Sequence, residues 1–262
     1  MNWDQVYQSA KSWTLEAGDI LRKATKESFQ VEYKTSAADL VTEKDRQIEK
    51  FFIDRIKETY PSHFLLGEEG MASDQVFDYN NEVVWVVDPI DGTTNFVQQQ
   101  KNFAISVGVY EKGQPKIGIV YDPIAGELFH AQVGQGAYLN EHLLPKQKER
   151  TLEEAMISIN QLWLIRNERV NHLLFEQIIR QARGTRYIGS AALEIAYVAC
   201  GRLDTYFDFR LSPWDIAGGM VILSEVGGVT VDLENKTVNA FTPTVTIFSN
   251  PNVLDEIVTF LS

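Results

Sequence analysis

The sequence predicts an α/β protein in which strands are covered by helices. Three observations carry that prediction. Residues 2–25 are apolar at helical spacings, residues 103–131 hold three successive strand-patterned runs with hairpin signals, and from residue 156 strand and helix patterns alternate. The chain of 262 residues is 44% hydrophobic and 23% charged, long enough to bury a sizeable core as one large domain or two small ones. No stretch approaches the unbroken apolar length of a membrane span, so no membrane partner is expected. The start, Met1-Asn-Trp-Asp-Gln, lacks the basic and apolar regions of a secretory signal, which makes the cytoplasm the expected location. A single cysteine, Cys200, excludes an intramolecular disulfide. The formal net charge of −12 argues against a nucleic-acid surface, and a phosphate substrate would need divalent cations to invert the local field.

Taken in order, Trp3, Val6, Tyr7, Ala10, Trp13, Ala17, Ile20 and Leu21 form one helical face. After a loop at 34–39, Thr42 caps a second helix with Ile48, Phe51, Phe52 and Ile56 inward, ending before Pro61. Asp45, in its first turn, complements the helix dipole. Phe64-Leu-Leu-Gly67 is an apolar run that stops at Glu68 and Glu69, which read either as an exposed acidic turn or as acids delivered to a cluster. Residues 71–82 read as a polar surface loop, and the runs 103–110, 117–121 and 128–131 as a meander. The second half is expected to hold a strand at 156–159, a helix over 162–183, a short segment at 185–188, a helix over 190–200 and a strand at 203–209 with Asp204 and Asp208. Pro213 then opens a helix to about 226 with Asp215 near its positive end, and Ala217-Gly-Gly219 marks a close approach to whatever packs on it. Strands at 229–231 and 245–248 and a helix from 253 complete the chain, with no nucleotide-binding glycine loop.

The most informative stretch is Trp85-Val-Val-Asp88-Pro-Ile-Asp91-Gly-Thr-Thr-Asn-Phe96. A buried-strand pattern at 83–87 leads into two carboxylates just past its end, and Pro89 keeps the chain from entering a helix at once. Asp88, the Ile90 carbonyl and Asp91 can then face one cavity as oxygen ligands of the kind Mg²⁺ takes. Gly92 allows a turn of unusual dihedrals, and Thr93-Thr-Asn95 offer hydroxyls and amides suited to an anion. A plain surface turn is the competing reading of these residue types. The four histidines, His63, His130, His142 and His172, show no ligand spacing and are expected in ordinary core or surface roles.

Gly67-Glu-Glu69, Asp88-Pro-Ile-Asp-Gly-Thr-Thr-Asn-Phe96 and Trp214-Asp-Ile-Ala-Gly218, with Asp39-Leu-Val-Thr-Glu-Lys-Asp45, resemble the motifs of the inositol monophosphatase family in order and separation. The resemblance covers nearly the whole chain. It implies a layered α/β fold of alternating helix pairs and sheets, similar to fructose-1,6-bisphosphatases, and a Mg²⁺-dependent, lithium-sensitive phosphatase. It implies one catalytic unit over 1–262 with sub-parts of about 1–150 and 151–262, usually a homodimer, with metals at the seam. Carried over, Glu68, Asp88 and the Ile90 carbonyl resemble the ligands of one metal, Asp88, Asp91 and Asp215 those of a second, and Glu68 that of a weaker third. Thr93, backed by Asp45, is similar to the pair that activates the attacking water, and the Gly92 and Thr93 amides to the phosphate cradle. Asp208 matches the acid that bonds inositol hydroxyls, one methylene shorter than the glutamate of animal enzymes, and Ser190-Ala191-Ala192 the small residues lining that pocket.

Two-metal chemistry supports this independently, because a bound metal lowers the pKa of water and a second stabilises the leaving oxygen, with no histidine required. An aspartyl-phosphate route is the alternative for an Asp-rich turn, which the resembling family does not use. The expected activity is hydrolysis of inositol 1-phosphate and related phosphorylated polyols. NADP 2′-phosphate, fructose 1,6-bisphosphate and a 3′-nucleotide are the alternative substrates, and a non-catalytic metal-binding regulator the alternative class. Arg186 and Arg210 read as surface cations paired with acids, or as contacts for a second phosphate.

Overall fold

The computed structural model describes residues 1–27, 30–33, 40–72, 77–168, 170–242 and 245–261. The expected loop at 34–39, which includes Asp39, and part of the 71–82 loop lie outside the described residues. Five layers are stacked in the order helices, sheet, helices, sheet, helices.

The outer layer holds α1 (Trp3–Ala24) and α2 (Glu43–Thr59), whose apolar faces at Ala10, Trp13, Leu21, Ile48 and Phe52 bury against the first sheet. Thr42 caps α2 as expected. A short antiparallel pair, β1 (Val31–Tyr33) with β2 (Leu40–Thr42), precedes α2 and carries no alternating pattern to announce it. The first sheet has seven strands in chain order, β3 (Phe64–Gly67), β4 (Val83–Asp91), β5 (Ala104–Glu111), β6 (Gln114–Asp122), β7 (Glu127–Gln132), β8 (Ala137–Leu139) and β9 (His142–Leu143), with only the β3–β4 pair parallel. Along β4, Trp85 and Val87 face α1 and α2 while Val84 and Val86 face the central layer, the two-residue alternation of a strand buried on both sides. Between β4 and β5 lies α3 (Thr93–Gln99).

The central layer is α5 (Ala191–Ala199) and α6 (Pro213–Glu225). One core joins Val84, Val86 and Phe129 of the first sheet, Leu193, Ile195 and Ile222 of these helices, and Tyr206 and Phe248 of the second sheet, so residues from both halves of the chain share it. The second sheet has the order β11 (Gly184–Arg186), β10 (Met156–Ile159), β12 (Thr205–Asp208), β14 (Thr246–Ser249), β13 (Val229–Asp232). Its far face, with Phe207 and Ile247, packs on α4 (His172–Gln181) and α7 (Pro251–Leu261).

The sequence expectation fails in one helix. Over 162–183 only α4 is α-helical, preceded by a 3-10 turn at Gln161–Leu164. Asparagine side chains mark the break: Asn160 caps the 3-10 turn, accepting from the Leu162 N–H at 3.0 Å, Asn167 accepts from the Val170 N–H at 3.0 Å as an alternative to helical bonding, and Asn171 starts α4 afresh, accepting from the Leu173 N–H at 3.2 Å. The close approach expected at Ala217-Gly-Gly219 is present. A Cβ on Gly108 of β5 would lie 2.7 Å from Ala217 Cβ, and one on Gly218 would lie 2.7 Å from the Ile119 carbonyl of β6, so α6 rests backbone to backbone on the first sheet. Among the described residues no helix is long and apolar enough to cross a membrane.

Candidate active site

The site is built at the end of β4, and its geometry depends on a bulge. In a regular strand residues three apart point to opposite faces, so Asp88 and Asp91 could not share a cavity. Pro89 cannot donate to the ladder, and the register with β5 shifts between Asp88, opposite Ser106, and Asp91, opposite Ala104. The shift cancels the parity and turns both acids to one side. The acids thus lie within the last four residues of β4 and not past the strand end, because pairing resumes after the irregularity. Asp215 arrives from the first turn of α6. Carboxylate oxygens of Asp88, Asp91 and Asp215 all lie within 4.8 Å of one another.

Each acid accepts from at least one backbone N–H, Asp88 within β4 and the other two at helix starts. Asp88 Oδ1 accepts from the Ile90 N–H at 3.0 Å. Asp91 Oδ2 accepts from the Ser190 hydroxyl and, at 2.8 Å, from the Ala192 N–H at the head of α5. Asp215 Oδ2 accepts from the Ser212 N–H at 2.7 Å, closing a capping box at the head of α6. Burial, and after it the charges of Glu68, Asp91 and Asp215, push Asp88 well above the ordinary carboxylate range. Burial and the charge of Asp91 do the same to Asp215. Asp91 is raised only to about 6, because the Ser190 and Ala192 donors oppose its burial. Glu68 stands half-buried just beyond β3, outside the tight trio, but its charge acts on all three acids.

Beside the trio lies the expected threonine–aspartate pair. Gly92, at φ +89°, turns the chain into α3, and a Cβ there would meet the Gly189 carbonyl at 3.0 Å. Thr93 Oγ1 donates to the Ile90 carbonyl at 3.0 Å and stands 3.4 Å from Asp45 Oδ1. Asp45 Oδ2 accepts from the Thr42 N–H at 2.7 Å and the Thr42 hydroxyl at 2.6 Å. One oxygen caps α2, the helix-end role expected of Asp45, and the other faces Thr93. Burial raises Asp45 to about 7, against the opposing Thr42 bonds.

The residues expected to line the substrate pocket border the same cleft. Ser190 caps α5 with its hydroxyl turned to Asp91, and Ala191 is the first residue of that helix. Asp208 ends β12, accepting at Oδ1 from the Phe209 and Arg210 N–H groups at 2.6 and 3.0 Å; its charge bears on Asp215. Arg186 and Arg210 are exposed, and neither makes an ion pair among the described residues. The histidines stand apart from the acids: His63 accepts from Trp85 Nε1 at 3.0 Å, and His130 bonds Tyr7 and the Asn140 carbonyl.

Glu194 and Glu49 escaped sequence reasoning, and Asn95, expected within an anion-suited run, is buried and spends its side-chain amide on backbone carbonyls. Asn95 Nδ2 donates to the carbonyls of Asn102 and Ile188, both at 2.8 Å, tying α3 to the loop before α5. Glu194, buried in α5, accepts from Ile188 N–H at 2.6 Å and Gly189 N–H at 3.1 Å; among the described residues its Oε2 has no hydrogen-bond partner, the nearby Ser158 hydroxyl donating instead to the Arg186 carbonyl. Glu49, buried one helical turn after Asp45, holds the segment around Glu68. The one available signal was helical spacing, since Glu49 shares the face of Asp45.

The donors are all oxygen, acidic and crowded, which is the chemistry hard divalent cations take, and their raised proton affinity records the positive charge the cluster favours. Fold and site define an α/β enzyme class with a buried acidic centre between two sheets. Comparison with known proteins supplies the family. A profile of the inositol monophosphatase family matches residues 2–259. The chain is 46% identical over 252 residues to the inositol-1-monophosphatase of Bacillus subtilis (strain 168), covering 96% of this chain and 94% of that one. The crystal structure of inositol monophosphatase-II from Staphylococcus aureus MSSA476 superposes with a TM-score of 0.87 at 40% identity, over 97% of this chain and 92% of that one. An IMPase/NADP phosphatase complexed with NADP and Ca²⁺ superposes with a TM-score of 0.90 at 25% identity, over 99% and 96%. The chain belongs to the inositol monophosphatase family, and so to the phosphoric monoester hydrolases.

Proposed function

We propose that this protein is a Mg²⁺-dependent phosphomonoesterase acting on inositol 1-phosphate and related small phosphorylated polyols by direct attack of water. The observation that carries the reading is the trio Asp88, Asp91 and Asp215 within 4.8 Å, with Thr93 and Asp45 beside it. Glu68, Asp88 and the Ile90 carbonyl would hold one cation, Asp88, Asp91 and Asp215 a second, and Glu68 a weaker third. Bound there, the cations supply Lewis acidity and neutralise charge on the ester phosphate. Thr93 orients the attacking water through its hydroxyl oxygen and passes a proton towards Asp45, whose pKa near 7 suits a base working at neutral pH. The 3.4 Å separation of that pair is of the loose kind that tightens when substrate binds.

The Gly92 and Thr93 amides would cradle the phosphate. Asp208, with Oδ1 held by the Phe209 and Arg210 N–H groups and Oδ2 accepting from the Tyr206 hydroxyl at 3.3 Å, would give the remaining acceptor capacity of Oδ2 to a polyol hydroxyl, beside Ser190 and Ala191. The relative at 46% identity is named for inositol 1-phosphate and the NADP phosphatase stands at 25%, which ranks the polyol ester first. The chain acts as one catalytic unit with sub-parts at about 1–150 and 151–262, as a lithium-sensitive cytoplasmic homodimer. The test is phosphate release from inositol 1-phosphate, NADP, fructose 1,6-bisphosphate and a 3′-phosphoadenosine nucleotide, with Mg²⁺ and with EDTA. Mg²⁺-dependent release fastest from inositol 1-phosphate is the expected outcome. Faster release from another ester would replace the substrate, and none from any would favour a non-catalytic metal-binding protein.

A further inference from the structure

We propose that Glu49 is a positioning residue for metal binding: from inside α2 it clamps the backbone on both sides of Glu68 and so aims that side chain at the acidic trio. The inference rests on reading Glu68 as a metal ligand. Glu49 is fully buried, and its two oxygens are divided between two donors of one short segment, Oε2 accepting from the Glu69 N–H and Oε1 from the Met71 N–H, both at 2.7 Å. On the other side of Glu68, Gly67 lies directly against the same carboxylate, and a methyl at that position would run into it. Glu68 is therefore bracketed by a close contact before it and a charge-assisted hydrogen bond after it. The segment follows Gly67, the last residue of β3, which stands opposite Val87 in the parallel pair with β4.

The sequence logic is economical. Asp45 and Glu49 are four apart on α2, one turn along the same face. The first meets Thr93, and the second meets the Glu68 segment. One helix thereby sets the water-activating pair and a metal ligand against each other at fixed spacing. A carboxylate is needed at 49 because it alone accepts from two amides with no donor of its own. Glutamine keeps the size but turns an NH₂ towards one N–H, so one tether is lost. Groups that orient ligands in this way typically change metal affinity or activity about 10- to 100-fold when removed.

The test compares Glu49→Gln, Gly67→Ala and Glu68→Gln with the parent protein. Mn²⁺ affinity is read by electron paramagnetic resonance without substrate, the Mg²⁺ dependence of inositol 1-phosphate hydrolysis gives half-saturation and kcat separately, and circular dichroism checks the fold. For Glu49→Gln the expectation is a roughly 10- to 100-fold weaker Mn²⁺ site, a matching rise in Mg²⁺ half-saturation, and kcat near the parent value at saturating Mg²⁺. Gly67→Ala changes no acid yet displaces the clamp, so it should weaken Mn²⁺ in the same direction; it decides the matter should Glu49→Gln not fold. Weakened binding in Glu68→Gln with parental affinity in the other two would overturn the positioning role while leaving Glu68 a ligand. Parental affinity in Glu68→Gln would remove the ligand reading and the clamp with it.

Discussion

Asp45 divides its two oxygens between a structural and a chemical partner. Thr42 holds one and Thr93 stands against the other, so the carboxylate cannot rotate without breaking the cap of α2. Thr93→Ala removes the hydroxyl that, in the proposed mechanism, links water to Asp45, and leaves the cap intact. Its kcat is expected to fall about 10²- to 10⁴-fold with little change in thermal stability, measured by steady-state hydrolysis and a melting curve. Parental kcat would show that the nucleophile is oriented elsewhere. At this scale Asp88 and Asp91 were legible because the whole Asp-Pro-Ile-Asp-Gly string, and not one turn dipeptide, follows a buried-strand pattern. Glu49 and Glu194 were not: a lone glutamate in an amphipathic helix looks solvent-facing, and only tertiary packing reveals that its carboxylate ends among backbone amides.

Four elements start at the site, namely α2, α3, α5 and α6, and each contributes its first turn. The partial positive charge of helix N-termini and their free N–H groups are what make such an accumulation of carboxylates tolerable without partner cations from lysine or arginine. The turn into α3 requires a left-handed residue at 92. Gly92→Ala is expected to lose about 1–2 kcal/mol in urea denaturation from the strained backbone, and to lower kcat because the new methyl meets the Gly189 carbonyl and displaces the neighbouring Thr93. Unchanged stability would mean that the turn relaxes freely. The sequence announced a break at Pro89 but placed it past the strand, because the resumption of pairing opposite Ala104 depends on β5, which no local pattern encodes. The helix over 162–183 was misread for the opposite reason: its apolar spacing is helical, and three asparagines mark the break in it.

For the whole molecule, the metal-free protein carries a burden set by proton linkage. Asp45 at about 7, Asp91 at about 6, and Asp88 and Asp215 well above their ordinary value all bind protons more tightly folded than unfolded. Between about pH 4 and 7 the native state therefore holds more protons, and stability falls as pH rises through that window. In EDTA the melting temperature should drop from pH 5 to pH 8. Mg²⁺ at a hundred times its dissociation constant should restore about 2.7 kcal/mol at pH 8 and much less at pH 5, where protons compete. A melting temperature in EDTA that rises over that range would refute the buried-charge account. The stacking order itself followed from family resemblance, since alternation of patterns shows that helices cover strands but not which sheet each helix serves.

The placement of α6 between the sheets also has a consequence in time. Synthesis delivers residues 64–143, and with them the whole first sheet, long before Asp215, which leaves the ribosome with most of the second sheet already made. At about 5–20 residues per second, seconds separate the two events. During that interval the chain holds Asp88, Asp91 and every strand of the first sheet, while the helix that covers the glycine-lined face and brings the third carboxylate is not yet made. Docking of α6 closes the core and completes the trio in one motion, so a chain that ends before α6 lacks both the cover of that face and the third carboxylate.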